Sequence, residues 1–157
     1  MFNQLRTFRF KAICVMDFEK IKNGSQCDCL KGSEIDIEGE YIRKIKKDIV
    51  LENDFQTHWE RGLHRDENDC DKICSYKSVS INKILSDSLA QIMNKYKITF
   101  RFNPAKGFCC ARFKLRENAG KVKHSPTNID PTHYNFFKAD DFTLDSINIT
   151  EIIKFTE

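Results

Sequence analysis

The spacing of apolar and polar positions along the chain predicts short strands interrupted by two helices. Thr7 to Val15 (TFRFKAICV) alternates, with Phe8, Phe10, Ala12 and Cys14 on one face, the pattern of a half-buried strand. Asn23-Gly24 and Lys31-Gly32-Ser33 mark turns. Glu34 to Glu38 (EIDIE) alternates again and predicts a short strand. From Glu40 to Val50 the apolar residues Tyr41, Ile42, Ile45 and Ile49 fall at helical spacing, with Arg43, Lys44, Lys46 and Lys47 outside the stripe. That stretch predicts a helix. The polar run after it predicts mostly loop or a short helix around Phe55 to Leu63.

Ser78 to Ile81 predicts a strand leading into a helix over roughly Lys83 to Lys95. Its stripe is Ile84, Leu85, Leu89, Ile92, Met93 and Tyr96, and Asn82 or Ser80 can cap it by accepting exposed backbone N–H groups. KITFRF (97–102) alternates, Asn103-Pro104 turns the chain and FCCARFKL (108–115) returns. This predicts a β-hairpin with Ile98, Phe100 and Phe102 packed beside Ala111, Phe113 and Leu115. Glu117 to Gly120 predicts a turn, SPTNIDPTHYN (125–135) an ordered loop, and INITEIIKF (147–155) a final strand. The sum is α+β: a single small domain over 1–157, mostly antiparallel sheet with about two helices.

Composition supports a folded domain, with 40% hydrophobic and 31% charged residues and 13 Phe for an aromatic core. No apolar run approaches the roughly 20 residues of a membrane helix. Arg6, Arg9 and Lys11 break the first segment, so a signal peptide is not expected and the chain reads as cytoplasmic. A net charge of +3, from 26 basic and 23 acidic side chains, does not by itself indicate a nucleic-acid protein. Seven Cys without an even framework predict reduced thiols, buried or metal-bound, rather than disulfides.

The stretch from His58 to Asn82 gathers the only Trp, two of the four His and two of the seven Cys. Cys27, Cys29, His58, His64, Cys70 and Cys74 can supply soft donors, so zinc is one candidate cofactor, with His64, Cys70 and Cys74 as the central ligands. Cys as a small buried hydrophobe is the plainer account of the same residues. Phe8-Arg9-Phe10-Lys11 and Phe100-Arg101-Phe102 interleave rings and charges as a base-stacking sheet does. Strand alternation sends those rings and charges to opposite faces, which favours a solvated outer face over nucleic acid.

Two further constellations carry chemistry. Arg61-Gly62-Leu63, Ser78-Val79-Ser80 and Glu151 resemble in order the Arg, Ser-x-Ser and Glu of mono-ADP-ribosyltransferases. The resemblance implies that Arg61 and Ser78 hold NAD while Glu151 stabilises the ribosyl cation. The middle motif is not Ser-Thr-Ser, and Ile149 stands where the family has Glu or Gln. An unbroken final strand puts Glu151 on the apolar face, and a β-bulge turns it outward; the bulge is the favoured expectation. In the 120–137 loop, His124, Asp130 and His133 can meet as metal ligands or as a nuclease-like acid and base.

RGLH (61–64), SVSIN (78–82), GFCCARF (107–113) and the 124–137 loop together resemble a group of small uncharacterised bacterial proteins with a late DPxxxNPxH-like loop. Asp130 stands here where that loop has Asn. The resemblance implies a bacterial cytosolic protein and no assigned activity. The leading expectation is an accessory or adaptor protein that binds another protein through Trp59, Arg61, His64, His133 and Tyr134. The alternatives are an enzyme acting on a nucleotide or nucleic acid, with Arg61, Ser80, Glu151, His124 and His133 as catalytic candidates, and a zinc-stabilised module.

Overall fold

Among the described residues, six strands pair into one antiparallel sheet. The computed structural model describes residues 15–156. The strand expected at Thr7 to Val15 lies, except for Val15, outside the described residues. The strands are β1 (Glu40–Ile45), β2 (Val79–Lys83), β3 (Phe108–Leu115), β4 (Gly120–His124), β5 (His133–Lys138) and β6 (Ile147–Phe155). Their spatial order is β4-β5-β2-β1-β3-β6, and each neighbouring pair runs antiparallel. Three short helices, α1 (Glu19–Lys22), α2 (Cys70–Tyr76) and α3 (Leu89–Thr99), complete a single α+β domain. No helix among the described residues is long and apolar enough to cross a membrane.

The segment expected to be a helix from Glu40 is instead β1, a central strand. All its residues pair with β3, from Glu40↔Lys114 to Ile45↔Cys109. Tyr41 and Ile45 enter a core with Phe55, Phe113 and Phe136 on one face. Ile42 packs on the other face against Ile92, Met93 and Tyr96 of α3. A strand covered on both faces loses its alternation, and Tyr41-Ile42-xx-Ile45 then imitates a helical stripe.

The expected hairpin at 97–102 is likewise replaced. The helix starts at Leu89, not Lys83, and its apolar stripe carries it through to Thr99. Phe102 N–H then closes back on the Lys97 carbonyl at 2.8 Å, with Arg101 at φ 48°. Ile98 is 80% exposed, so it does not face the core, and β3 pairs with β1 and β6 instead. Of the strand expected at Glu34 to Glu38, only Glu34 pairs, in an isolated bridge to Val122.

In β6 the register shifts opposite Arg112/Phe113: Phe113 faces Ile149 and Arg112 faces Glu151, leaving Thr150 extra. The bulge turns Glu151 out to solvent, 3.7 Å from Arg112. Gly120 opens β4 at φ 145°, where a Cβ would lie 2.1 Å from the Phe137 carbonyl. Only glycine passes that close to the neighbouring strand.

The expectation of reduced thiols is corrected by two disulfides, Cys27–Cys70 and Cys29–Cys74. Cys70 and Cys74 sit one turn apart on α2, and Cys27 and Cys29 two apart, so each pair presents its sulfurs on one side. The bridges span 43 and 45 residues. Closing one loop of that size stabilises the fold by about 4 kcal/mol; the second adds less, because the first already holds the same segments together. Beside them Lys77 is buried, donating from Nζ to the carbonyls of Ile21 (2.8 Å) and Asn23 (2.6 Å) and to Ser25 Oγ (3.1 Å). Residues 21–29 are thus clamped to α2 by two covalent bonds and to the residue that ends it by one buried ammonium.

Candidate functional site

The ladder between β1 and β2 ends at Ile42↔Asn82, and the chain leaves a gap beyond it. Arg43 occupies that gap. Its Nε donates to the Asp54 carbonyl and its Nη1 to the Ser80 carbonyl, both at 2.7 Å. A cleft of about 460 Å³ opens here, between β1, β2, the 53–61 segment and the C-terminal half of α3. That volume is in the range of a small-ligand site.

Its charge is one-sided. Arg43, Lys44, Lys46, Arg61 and Lys95 line it, against the single carboxylate of Asp54. Asp54 is already engaged, accepting from the backbone N–H groups of Lys46 (3.1 Å) and Leu51 (2.8 Å). Lys95 pairs with Asp130. Among the described residues, Arg43, Lys44, Lys46 and Arg61 have no carboxylate partner within salt-bridge distance. Burial holds the Arg43 pKa below the ordinary arginine value; Tyr96 and Asp54 oppose this, and the nearby charge of Arg61 adds to it. Arginine stays protonated even so, and two guanidiniums share one end of the cleft.

A buried polar network forms the floor. Asn82 donates from Nδ2 to Asp130 Oδ1 at 2.7 Å and to Thr132 Oγ1 at 3.1 Å. Its Oδ1 accepts from the Tyr96 hydroxyl at 2.7 Å, and the same hydroxyl lies 3.2 Å from the Ile42 carbonyl. Asp130 receives Lys95 at its other oxygen. β2, α3 and the loop before β5 are locked together directly under the cations.

One wall carries a serine and a histidine. His133 opens β5 opposite Asn82, and Ser80 lies two residues along β2 on the same face. Ser80 Oγ is 3.1 Å from His133 Nε2, and His133 Nδ1 is 2.9 Å from the Ser125 carbonyl. His124 does separate work: its Nε2 lies 2.8 Å from the Pro131 carbonyl, and its ring stacks on Tyr134 at 4.7 Å. The two histidines pin opposite ends of the 125–132 loop.

A second cleft, of about 550 Å³, is lined by Lys20, Lys77 and Lys138 and by Glu52, Glu60 and Asp140. Its charges balance, and its cations are already engaged: Lys138 bonds Glu60 at 2.9 Å, and Lys20 and Lys77 donate to backbone carbonyls. The smaller, unbalanced cleft is the better candidate.

The residues singled out in the sequence divide accordingly. Arg61, Ser78, Ser80 and His133 come together in the cationic cleft. Glu151 stands on β6, with β1 and β3 between it and β2, roughly 14 Å of sheet at the usual strand spacing. His124 is held by Pro131 outside the cleft lining. Trp59 is half-buried, stacked on His64 at 3.9 Å with the Lys77 ammonium 4.6 Å from its ring. Tyr134 packs between His124 and Tyr41. His64 Nδ1 is buried with no hydrogen-bond partner among the described residues. The zinc set of His64, Cys70 and Cys74 is undone by the disulfides, which consume both thiols, and no cluster of metal-binding side chains occurs among the described residues.

Arg43, Asn82, Lys95 and Tyr96 were not expected in a site. The available signal was Arg43 itself, a cation set between Tyr41-Ile42 and Ile45. Comparison with family models, curated proteins and solved structures gives no significant match to this chain.

Proposed function

We propose that the protein binds a phosphate ester of about nucleotide size in the cleft between β1 and β2, as the binding step of an enzyme acting on a nucleotide. The observation that carries this reading is the group of four cations, Arg43, Lys44, Lys46 and Arg61, that have no carboxylate partner among the described residues. Like charges gathered at one concave site repel until an anion enters, and forked guanidiniums match phosphate oxygens. Phe100, at the cleft mouth and 46% exposed beside the Lys44 ammonium, offers a ring on which a base can stack. The floor of Asn82, Asp130 and Tyr96 is already bonded, so binding requires little reorganisation there.

The adaptor reading leans on Trp59 and Tyr134, and both rings are stacked on other side chains. Disulfides persist in oxidising compartments, so the two bridges favour such a setting over the cytoplasm.

Isothermal titration with adenosine monophosphate tests the reading. Saturable one-to-one binding to the wild type, weakened about tenfold or more in Arg61→Ala, is the expected result for loss of a charge-assisted phosphate contact. Arg61 is exposed, which makes a folding defect an unsuitable explanation for that loss. Equal affinity in both proteins would contradict it.

A further inference from the structure

We propose that Ser80 is a nucleophile activated by His133, and that the cleft hydrolyses a phosphodiester through a phosphoseryl intermediate. The inference rests on the phosphate-ester reading and goes beyond binding.

The strand register creates the pair. His133 stands opposite Asn82, so Ser80, two residues along the same face, is its diagonal neighbour. Diagonal side chains across an antiparallel pair are within reach of one another. Ser80 Oγ and His133 Nε2 close to 3.1 Å.

The backbone then selects the useful tautomer. The Ser125 carbonyl, 2.9 Å from His133 Nδ1, can only accept, so Nδ1 carries the hydrogen. In the neutral ring Nε2 is bare and accepts from the Ser80 hydroxyl. A base held by a third group and aimed at a hydroxyl is the arrangement that activates a serine. Arg43 completes it, with Nη1 2.7 Å from the carbonyl of Ser80 itself and Arg61 nearby, two cations for the charge that grows on the non-bridging oxygens.

In the first step Ser80 Oγ bonds to phosphorus and its proton passes to His133 Nε2. The bond from phosphorus to one alcohol oxygen breaks, and that alcohol leaves with the proton from Nε2. Water then attacks the phosphoserine, giving its proton to Nε2; the bond from phosphorus to Oγ breaks and Oγ takes the proton back. One water is consumed, and a phosphomonoester and an alcohol result. A diester suits this pair better than a monoester, whose loose transition state draws little on the nucleophile.

The test is covalent labelling of the full chain with a fluorophosphonate, read by intact mass and peptide mapping. The wild type is expected to gain one phosphonyl group on Ser80, and Ser80→Ala none. His133→Asn keeps a donor at the Nδ1 position for the Ser125 carbonyl but removes the base, and labelling should slow by about 10²-fold or more. His124→Gln should label at the wild-type rate. Melting temperatures of all variants separate lost chemistry from lost fold. No adduct on Ser80, or His133→Asn labelling like the wild type while folded, overturns the proposal. Adenosine monophosphate binding without labelling sinks this proposal alone, whereas labelling without such binding sinks the nucleotide reading alone.

Discussion

Asn82 and Asp130, 48 residues apart in sequence, meet at 2.7 Å beneath the cationic cleft, with both side chains buried. Asn82 serves three partners at once: Asp130 and Thr132 accept from its amide, and the Tyr96 hydroxyl donates to its carbonyl. Truncation removes the partner of three buried polar groups on two elements, Asp130 and Thr132 in the loop before β5 and Tyr96 on α3. Asn82→Ala should therefore cost about 2–4 kcal/mol, more than a typical single hydrogen bond, because unmet buried groups keep their desolvation penalty. Urea unfolding at neutral pH measures it. A loss below about 0.5 kcal/mol would show that the network contributes nothing distinctive.

The disulfides make a prediction that depends on their being parallel. Cys27–Cys70 and Cys29–Cys74 close nearly the same loop. Losing one bridge, as in Cys27→Ser with Cys70→Ser, should cost about 1 kcal/mol, whereas full reduction should cost about 4 kcal/mol or more. Thermal unfolding with and without reductant separates the two. Equal losses from one bridge and from both would contradict the shared-loop account.

Acid should act through Asp36. Burial pushes its pKa up, but hydrogen bonds from Lys83 (2.8 Å), Tyr41 (2.6 Å) and the Gly39 N–H (2.9 Å) outweigh that and hold it at about 2, against an ordinary 3.8. The folded value lies below the unfolded one. Its stabilisation is thus complete above about pH 4 and disappears as the pH falls toward 2, a loss of about 1–2 kcal/mol after allowance for partial exposure. Asp36→Asn should flatten that part of the stability–pH curve. An unchanged acid limb in Asp36→Asn would assign the acid sensitivity elsewhere.

Arg101 terminates α3 in the left-handed region, at φ 48°. Phe102 N–H reaches the Lys97 carbonyl across it, the six-to-one bond of a helix stop that usually employs glycine at this position. Arg101→Gly should accordingly raise stability by about 0.5–1 kcal/mol, since the strain of a Cβ in that conformation is removed. A lower melting temperature in Arg101→Gly would argue against it.

What the sequence revealed follows from which residues carry their pattern locally. β6 was readable end to end because Ile147, Ile149, Ile152 and Ile153 mark it, and even its bulge was foreshadowed by Glu151 falling on the apolar parity. β1 was not, because Tyr41 and Ile42 are buried on opposite faces of a central strand and erase the alternation. KITFRF alternates, yet the stripe of Ile92, Met93 and Tyr96 governs the backbone as far as Thr99. Arg61, Ser80 and His133 could be named from the sequence as separate candidates. Their meeting could not, since Ser80 touches His133 only through the pairing of β2 with β5, and Pro131 disguised the start of β5 as loop. Arg43 was hidden more thoroughly. As a helix residue it would face solvent, and only the end of the β1–β2 ladder gives it a gap to fill.

The most direct measurement is a titration of the isotope-labelled protein with adenosine monophosphate, followed by amide chemical shifts. Saturable shifts are expected, concentrated at 43–46, 58–61, 78–82, 95–100 and 133, around the cationic cleft. Shifts centred instead on the balanced cleft beside Lys77 and Lys138, or no saturable shifts at all, would contradict it.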